Sequence, residues 1–166
     1  MVILGIDPGY AIVGYGVVSY DNFKFQPIGY GAITTEAGLP FEQRLMIIDN
    51  QMTLLLRKVK PQAISLEKLF FTNNKTTGIA VAEARGVILL RAAKEGVPVY
   101  EYTPMQVKQA ITGYGRAEKK QVMEMVKLFL NMDKIPRPDD AADALAMAVC
   151  HAHSSGSALF DNKTAR

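Results

Sequence analysis

The sequence is short of several things, and each shortage narrows what the chain can be. It has a single cysteine, Cys150, so no internal disulfide can form, and a reducing compartment is the simplest setting. Set in AMAVCHAH, that thiol reads as a buried spectator. No apolar run approaches the roughly 18 residues needed to cross a bilayer. The opening MVILGIDPGY lacks a basic stretch and is broken by Asp7, so it does not read as a secretory signal. There is no internal repeat, low-complexity tract or linker to split the chain. Net charge is only +3, too weak to imply a polyanionic partner by itself.

What is present suits one α/β domain. The chain has 166 residues, 49% apolar and 21% charged, which supports a sizeable core and excludes a disordered composition. VILGI reads as a first strand. AIVGYGVVSY and FKFQPIGYGAITT read as two more, rich in Val, Ile, Tyr and Phe, with a turn at Asp21–Asn22. From Pro40 the period changes. Phe41, Leu45, Ile48, Met52, Leu55 and Val59 recur at helical spacing, with Pro61 beyond the end. AISL predicts a short strand ending on Glu67, followed by an Ala-rich helix over 76–93 and a fifth strand, VPVYEY. Helices over 104–111 and 117–130 flank TGYGR, and a last helix covers 138–153. Residues 1–153 thus form one domain, and the polar tail 154–166 is expected to be disordered. Three antiparallel strands followed by helix–strand–helix–strand–helix imply a five-stranded mixed sheet with helices on both faces.

Acids fall at the strand ends. Asp7 closes the first strand before a Pro-Gly turn, and Glu67 closes the fourth. Asp140 and Asp143, in PDDAADAL, are three residues apart on one helical face. If the first and fourth strands are neighbours, all four carboxylates converge, and they cannot all stay ionised without a counter-charge. A carboxylate set without His or Cys favours Mg²⁺, with Mn²⁺ as a substitute, over zinc. Two such ions about 3.5–4 Å apart suit phosphodiester hydrolysis. Each acid alone has a plainer reading. Asp7 suits a turn, Glu67 an exposed strand end, Asp139 and Asp140 the first turn of a helix, and Asp143 a solvated helix position. The plain readings do not predict their order together. The charge distribution fits a polyanion substrate: Arg57 to Lys94 holds eight Lys/Arg against two Glu, and Pro104 to Lys134 six against three acids.

GIDPG with GYGVV, LEKLFF, ARG at 84–86, TPMQVKQAITGYGRAEKKQV and PDDAADALAMAVCH together resemble the RuvC family over residues 2–153. These are crossover-junction endodeoxyribonucleases, or Holliday-junction resolvases, of the ribonuclease H-like fold. The resemblance implies that Asp7, Glu67, Asp140 and Asp143 form the catalytic, metal-binding quartet, with Mg²⁺, two ions per subunit, as cofactor. It implies a homodimer that cuts two strands of a four-way DNA junction, in recombination and repair; two-metal hydrolysis is expected to leave 5′-phosphate and 3′-hydroxyl ends, and the single cysteine makes the cytoplasm the expected setting. It also implies cooperation with a branch-migration motor. One departure is Val13, where the family often carries Thr or Ser.

Beyond the acids, Phe70 and Phe71 follow Glu67 closely. An aromatic beside a nuclease centre either stacks on an unpaired base or packs in the core; in the family the position of Phe70 stacks. Lys108 and Lys119 match basic positions placed near the scissile phosphate. Arg116 and Lys120 suit either backbone phosphate or solvent. His151 and His153 read as structural or surface residues, and the eight methionines as core fillers. The rival readings are a ribonuclease H-like nuclease for RNA–DNA hybrid or ribosomal RNA precursor, a sugar kinase or actin-like ATPase sharing the first loop, and a non-catalytic junction binder. The second needs two such domains around ATP, for which 166 residues are too few. The full set of acids argues against the third.

Overall fold

A computed structural model describes residues 1–69 and 75–155. The elements in chain order are β1 (Val2–Asp7), β2 (Ile12–Asp21), β3 (Lys24–Thr34), α1 (Phe41–Val59), β4 (Ala63–Glu67), α2 (Lys75–Lys94), β5 (Val99–Tyr102), α3 (Pro104–Thr112), α4 (Lys119–Phe129) and α5 (Asp139–Ser154). They form a five-stranded sheet of order β3-β2-β1-β4-β5. The first three strands are antiparallel, and β4 and β5 run parallel to β1. The expected mixed sheet is therefore observed, with β1 at its centre.

Strand parity divides the core in two. Leu4 and Ile6 of β1, Ile64 and Leu66 of β4, and Val99 of β5 pack with Ile48, Met52 and Leu56 of α1 and Ala84 and Ile88 of α2. Ile3 of β1, Val18 of β2 and Tyr102 of β5 pack with α3, α4 and α5 on the other face. Alternation of side chains across a strand then puts Gly5 and Asp7 on the α5 side with Ile3. Val13 is fully buried on the α1–α2 side, so the departure at this position fills core.

The α5 helix is seated on glycine. A Cβ at Gly5 would collide with the Ala144 carbonyl and stand 2.8 Å from the Ala148 nitrogen; one at Gly16 would stand 2.7 Å from the Leu145 nitrogen. Gly5 and Gly16 are cross-strand partners, so they form a smooth floor. The helix presents small residues to it: Ala141, Ala144 and Ala148 are fully buried. Ser65 of β4 donates its hydroxyl to the Met147 carbonyl at 2.7 Å, fixing the helix along its axis.

Several details differ from the sequence reading. The buried stripe of α1 runs through Arg44, Ile48, Met52 and Leu56, while Leu45, Leu55 and Val59 lie half-buried beside it. Arg44 is accommodated because its Nε donates to Thr35 Oγ1 at 2.8 Å and its guanidinium lies 4.7 Å over the Tyr10 ring. Thr35 Oγ1 in turn donates to the Tyr10 carbonyl, which ties down the turn that follows Asp7. The fourth helix begins at Lys119 rather than at 117, because Glu118 and Gln121 form a capping box. The last helix runs through Ser154, whose buried hydroxyl bonds the Cys150 carbonyl at 2.9 Å, one residue into the segment expected as tail. Met52, Met123 and Met147 are core residues as expected, but Met46 and Met105 are 58% and 61% exposed. Cys150 is fully buried, and burial pushes its thiol up to about 12. His151 is also buried; its Nδ1 lies 2.7 Å from the Tyr102 hydroxyl, and burial holds its imidazole down at about 4. Among the described residues no helix is long and apolar enough to cross a membrane.

Candidate active site

The acids meet where the sheet ends under α5. The parallel register Ile6↔Leu66 brings Asp7 and Glu67 to adjacent strand ends. Both lie on the α5 side, as do Gly5 and Ser65. Asp7 pairs across the antiparallel ladder with Gly14, and a Cβ at Gly14 would stand 2.8 Å from the Cβ of Asp140. The first turn of α5 therefore lies directly over the end of β1. Asp143, one turn further on, reaches the cleft itself.

That cleft encloses about 320 Å³. Asp7, Glu67, Asp143, Lys108 and Lys119 line it, with Val107, Val122 and Met123 forming an apolar wall. Asp140 does not line it and stands at its edge beside Gly14. The carboxylates act on one another. Asp7 is pushed up to about 7, first by burial, then by the charges of Glu67, Asp143 and Asp140, with the Lys119 ammonium pulling the other way. Burial and Asp143 also raise Glu67. Burial comes first in both cases and would raise a lone buried acid as well; the added push of each acid on the next is the sign of anionic groups gathered without enough counter-charge.

Lys119 supplies part of that counter-charge. From the first turn of α4 its Nζ donates to Asp143 Oδ2 at 2.8 Å, and that bond raises its own pKa. Lys108 lines the same cleft and makes no ion pair among the described residues. The donor set is all carboxylate oxygen, which fits a hard divalent cation. Among the described residues no three acidic, His or Cys groups stand close enough together to hold an ion as placed. The fit rests on donor chemistry and unbalanced charge, with Lys119 bonded to one of the carboxylates, Asp143.

The remaining expected residues fall elsewhere. Arg116 is exposed in the connection between α3 and α4. Lys120 is exposed and lines a separate depression with Tyr114, Gln121 and Glu124. Asp139 is a first-turn acid of α5 and pairs with Arg137. Phe70 and Phe71 lie outside the described residues. The glycine seat and Ser65 escaped the sequence reading. Their only signal was the parity of Gly5 and Ser65 with Asp7 and Glu67, which carries meaning once α5 is known to cross there.

A family model described as crossover junction endodeoxyribonuclease RuvC matches residues 3–151. A protein of that name from Brevibacillus brevis is 59% identical over 152 residues, covering 92% of each chain. Another from Ruminiclostridium cellulolyticum is 54% identical over 154 residues, covering 93% of each. Among solved structures, Thermus thermophilus RuvC in complex with Holliday junction substrate superposes with a TM-score of 0.89 at 38% identity, over 93% of this chain and 94% of that one.

Proposed function

The chain belongs to the RuvC family, and on that premise we propose how its residues cut DNA. It is a crossover-junction endodeoxyribonuclease that resolves four-way junctions in recombination and repair. Asp7 and Glu67, presented by adjacent central strands, and Asp140 and Asp143, presented by α5, hold the divalent cations on which cutting depends. Mg²⁺ is the ion proposed, two per subunit, with Mn²⁺ able to replace it. Such ions lower the pKa of bound water and stabilise charge on the leaving oxygen. The protein's part is placement. The sheet fixes Asp7 and Glu67, so their lost solvation is offset once cations bind. Lys108 draws the scissile phosphate into the cleft from the α3 side. The apolar wall of Val107, Val122 and Met123 limits the water that can reach it. Hydrolysis leaves 5′-phosphate and 3′-hydroxyl ends. Phe70 stacks on a base opened at the junction, and Arg116 and Lys120 touch backbone phosphate further out.

A four-way junction presents two equivalent strands, which suits a two-fold dimer with one active site per subunit. The exposed face of α2 supports that reading, because Ile79 and Leu90 are 60% and 55% exposed. A Cβ at Gly86 between them would meet open space, so a partner helix can approach closely. Work with a branch-migration motor and a cytoplasmic location complete the proposal. The observation that carries it is the convergence of Asp7, Glu67 and Asp143 on one cleft with two lysines. Asp143→Asn tests it. Cutting of a mobile junction in Mg²⁺ should stop while junction binding, held by the basic surface, stays near wild type. Near-normal cutting by this variant would refute the assignment.

A further inference from the structure

The two lysines of the cleft are not equivalent. Lys108 is half-buried and makes no ion pair among the described residues. Lys119 is bound to Asp143 at 2.8 Å, while its side chain is 58% exposed at the mouth of the cleft. Asp143 is one of the carboxylates assigned above to the cation. An ammonium on that carboxylate and a divalent ion beside it compete for the same oxygens and repel each other. The pair is set by two helices, α4 and α5, and not by the sheet. Lys119 can therefore swing away on its four-carbon stem without moving Asp7 or Glu67.

We propose that Lys119 is the resident counter-ion of the metal-free site: it must leave Asp143 for a cation to bind fully, and DNA phosphate draws it away. Metal loading and DNA binding are then coupled through one side chain. The coupling is reciprocal, since whatever DNA adds to cation affinity, the cation adds to DNA affinity. A free enzyme at low metal concentration keeps Asp143 paired with Lys119, and the site becomes cation-competent when a backbone enters the cleft. This inference rests on the proposed cation site.

The experiment measures Mn²⁺ binding by the loss of the free-ion electron paramagnetic resonance signal. Wild type, Lys119→Met, Lys119→Arg and Asp7→Asn are compared, with and without a synthetic four-way junction. Salt is matched, the temperature is 4 °C, and a denaturing gel verifies that the strands stay intact. The Asp7→Asn complex supplies the blank for ions held by DNA alone. Without DNA, Lys119→Met should bind Mn²⁺ tighter than wild type by about fivefold or more, the lower end of ordinary coupling between sites. Lys119→Arg, which keeps the charge, should stay near wild type. Adding the junction should tighten Mn²⁺ binding in wild type well beyond its effect in Lys119→Met. Equal or weaker binding by DNA-free Lys119→Met overturns the counter-ion role, and equal tightening by DNA in both proteins overturns the coupling. If Asp7→Asn binds Mn²⁺ as wild type does, the cation site itself is misplaced and the proposal falls with it.

Discussion

Replacing Gly5 with alanine adds one methyl group to the centre of the fold and should damage both stability and cutting. Gly5 lies in β1 directly beneath α5. The new Cβ would strike the Ala144 carbonyl and stand 2.8 Å from the Ala148 nitrogen, where ordinary contact begins at 3.4 Å. Both obstacles are backbone, so no side chain can turn aside. The helix must retreat by at least about half an ångström, and further to clear the carbonyl. Overpacking of this kind costs about 1–3 kcal/mol. Straining the Ser65–Met147 bond adds about 1 kcal/mol. Asp140 and Asp143 ride on the same helix, and a misplacement near 1 Å costs on the order of 10²-fold in rate. Urea unfolding and single-turnover cleavage at saturating junction, both at a temperature where the variant is folded, measure the two effects. Gly29→Ala is the control, since nothing lies within 4 Å of its added Cβ. It should stay within about 0.5 kcal/mol of wild type and cut normally. A Gly5→Ala protein with wild-type stability and wild-type cutting would refute the claim that α5 is seated on this glycine.

The Asp7 carboxyl is raised to about 7 from 3.8 in the unfolded chain, so the folded protein keeps a proton that the unfolded one releases, and metal-free stability falls as pH rises from 3.8 to 7. Asp7→Asn removes that cost. With chelator present it should be more stable than wild type by on the order of 2–4 kcal/mol at pH 8 and equal to it near pH 4, by chemical denaturation; no gain at pH 8 contradicts the burial of Asp7 among other acids at the strand end. Tyr102→Phe leaves His151 Nδ1 without its 2.7 Å partner and should cost about 1–3 kcal/mol while single-turnover cutting is unchanged; a slowed cut with no loss of stability would place this pair in the chemistry. Phe70→Ala should slow cutting with a stability loss well under the roughly 3–5 kcal/mol of a core phenylalanine, and thermal unfolding showing the full core penalty would end the stacking role.

Much of the fold was legible because local pattern and global arrangement agree. Runs rich in Val, Ile, Tyr and Phe gave the strands, and the shift to helical spacing at Pro40 gave α1. The convergence of Asp7 and Glu67 follows from the sequence if the first and fourth strands are neighbours, as they are. What stayed hidden depends on how elements approach one another. Gly5 and Gly16 look like weak strand residues until a helix is laid on them. Arg44 looks like surface until Thr35 and Tyr10 give it partners. Lys119 matched a basic position, but its bond to Asp143 joins helices separated by a connection that no periodicity describes. Composition alone places Met46 and Met105 in the core, but the faces on which they sit turn outward.

The central claim is that this chain resolves junctions by paired, symmetric, metal-dependent cuts. One assay addresses it directly. A mobile four-way junction, the matching linear duplex and an RNA–DNA hybrid are incubated with the protein at equal salt, because phosphate contacts alone make binding salt-dependent. Each is run with Mg²⁺ and with chelator, and the products are mapped on both strand pairs and treated with ligase. The account predicts ligatable nicks at symmetric positions on two opposing strands of the junction, in Mg²⁺ only, with the duplex and the hybrid left whole. Cutting of the duplex or the hybrid as readily as the junction, or nicks on a single strand, would contradict it.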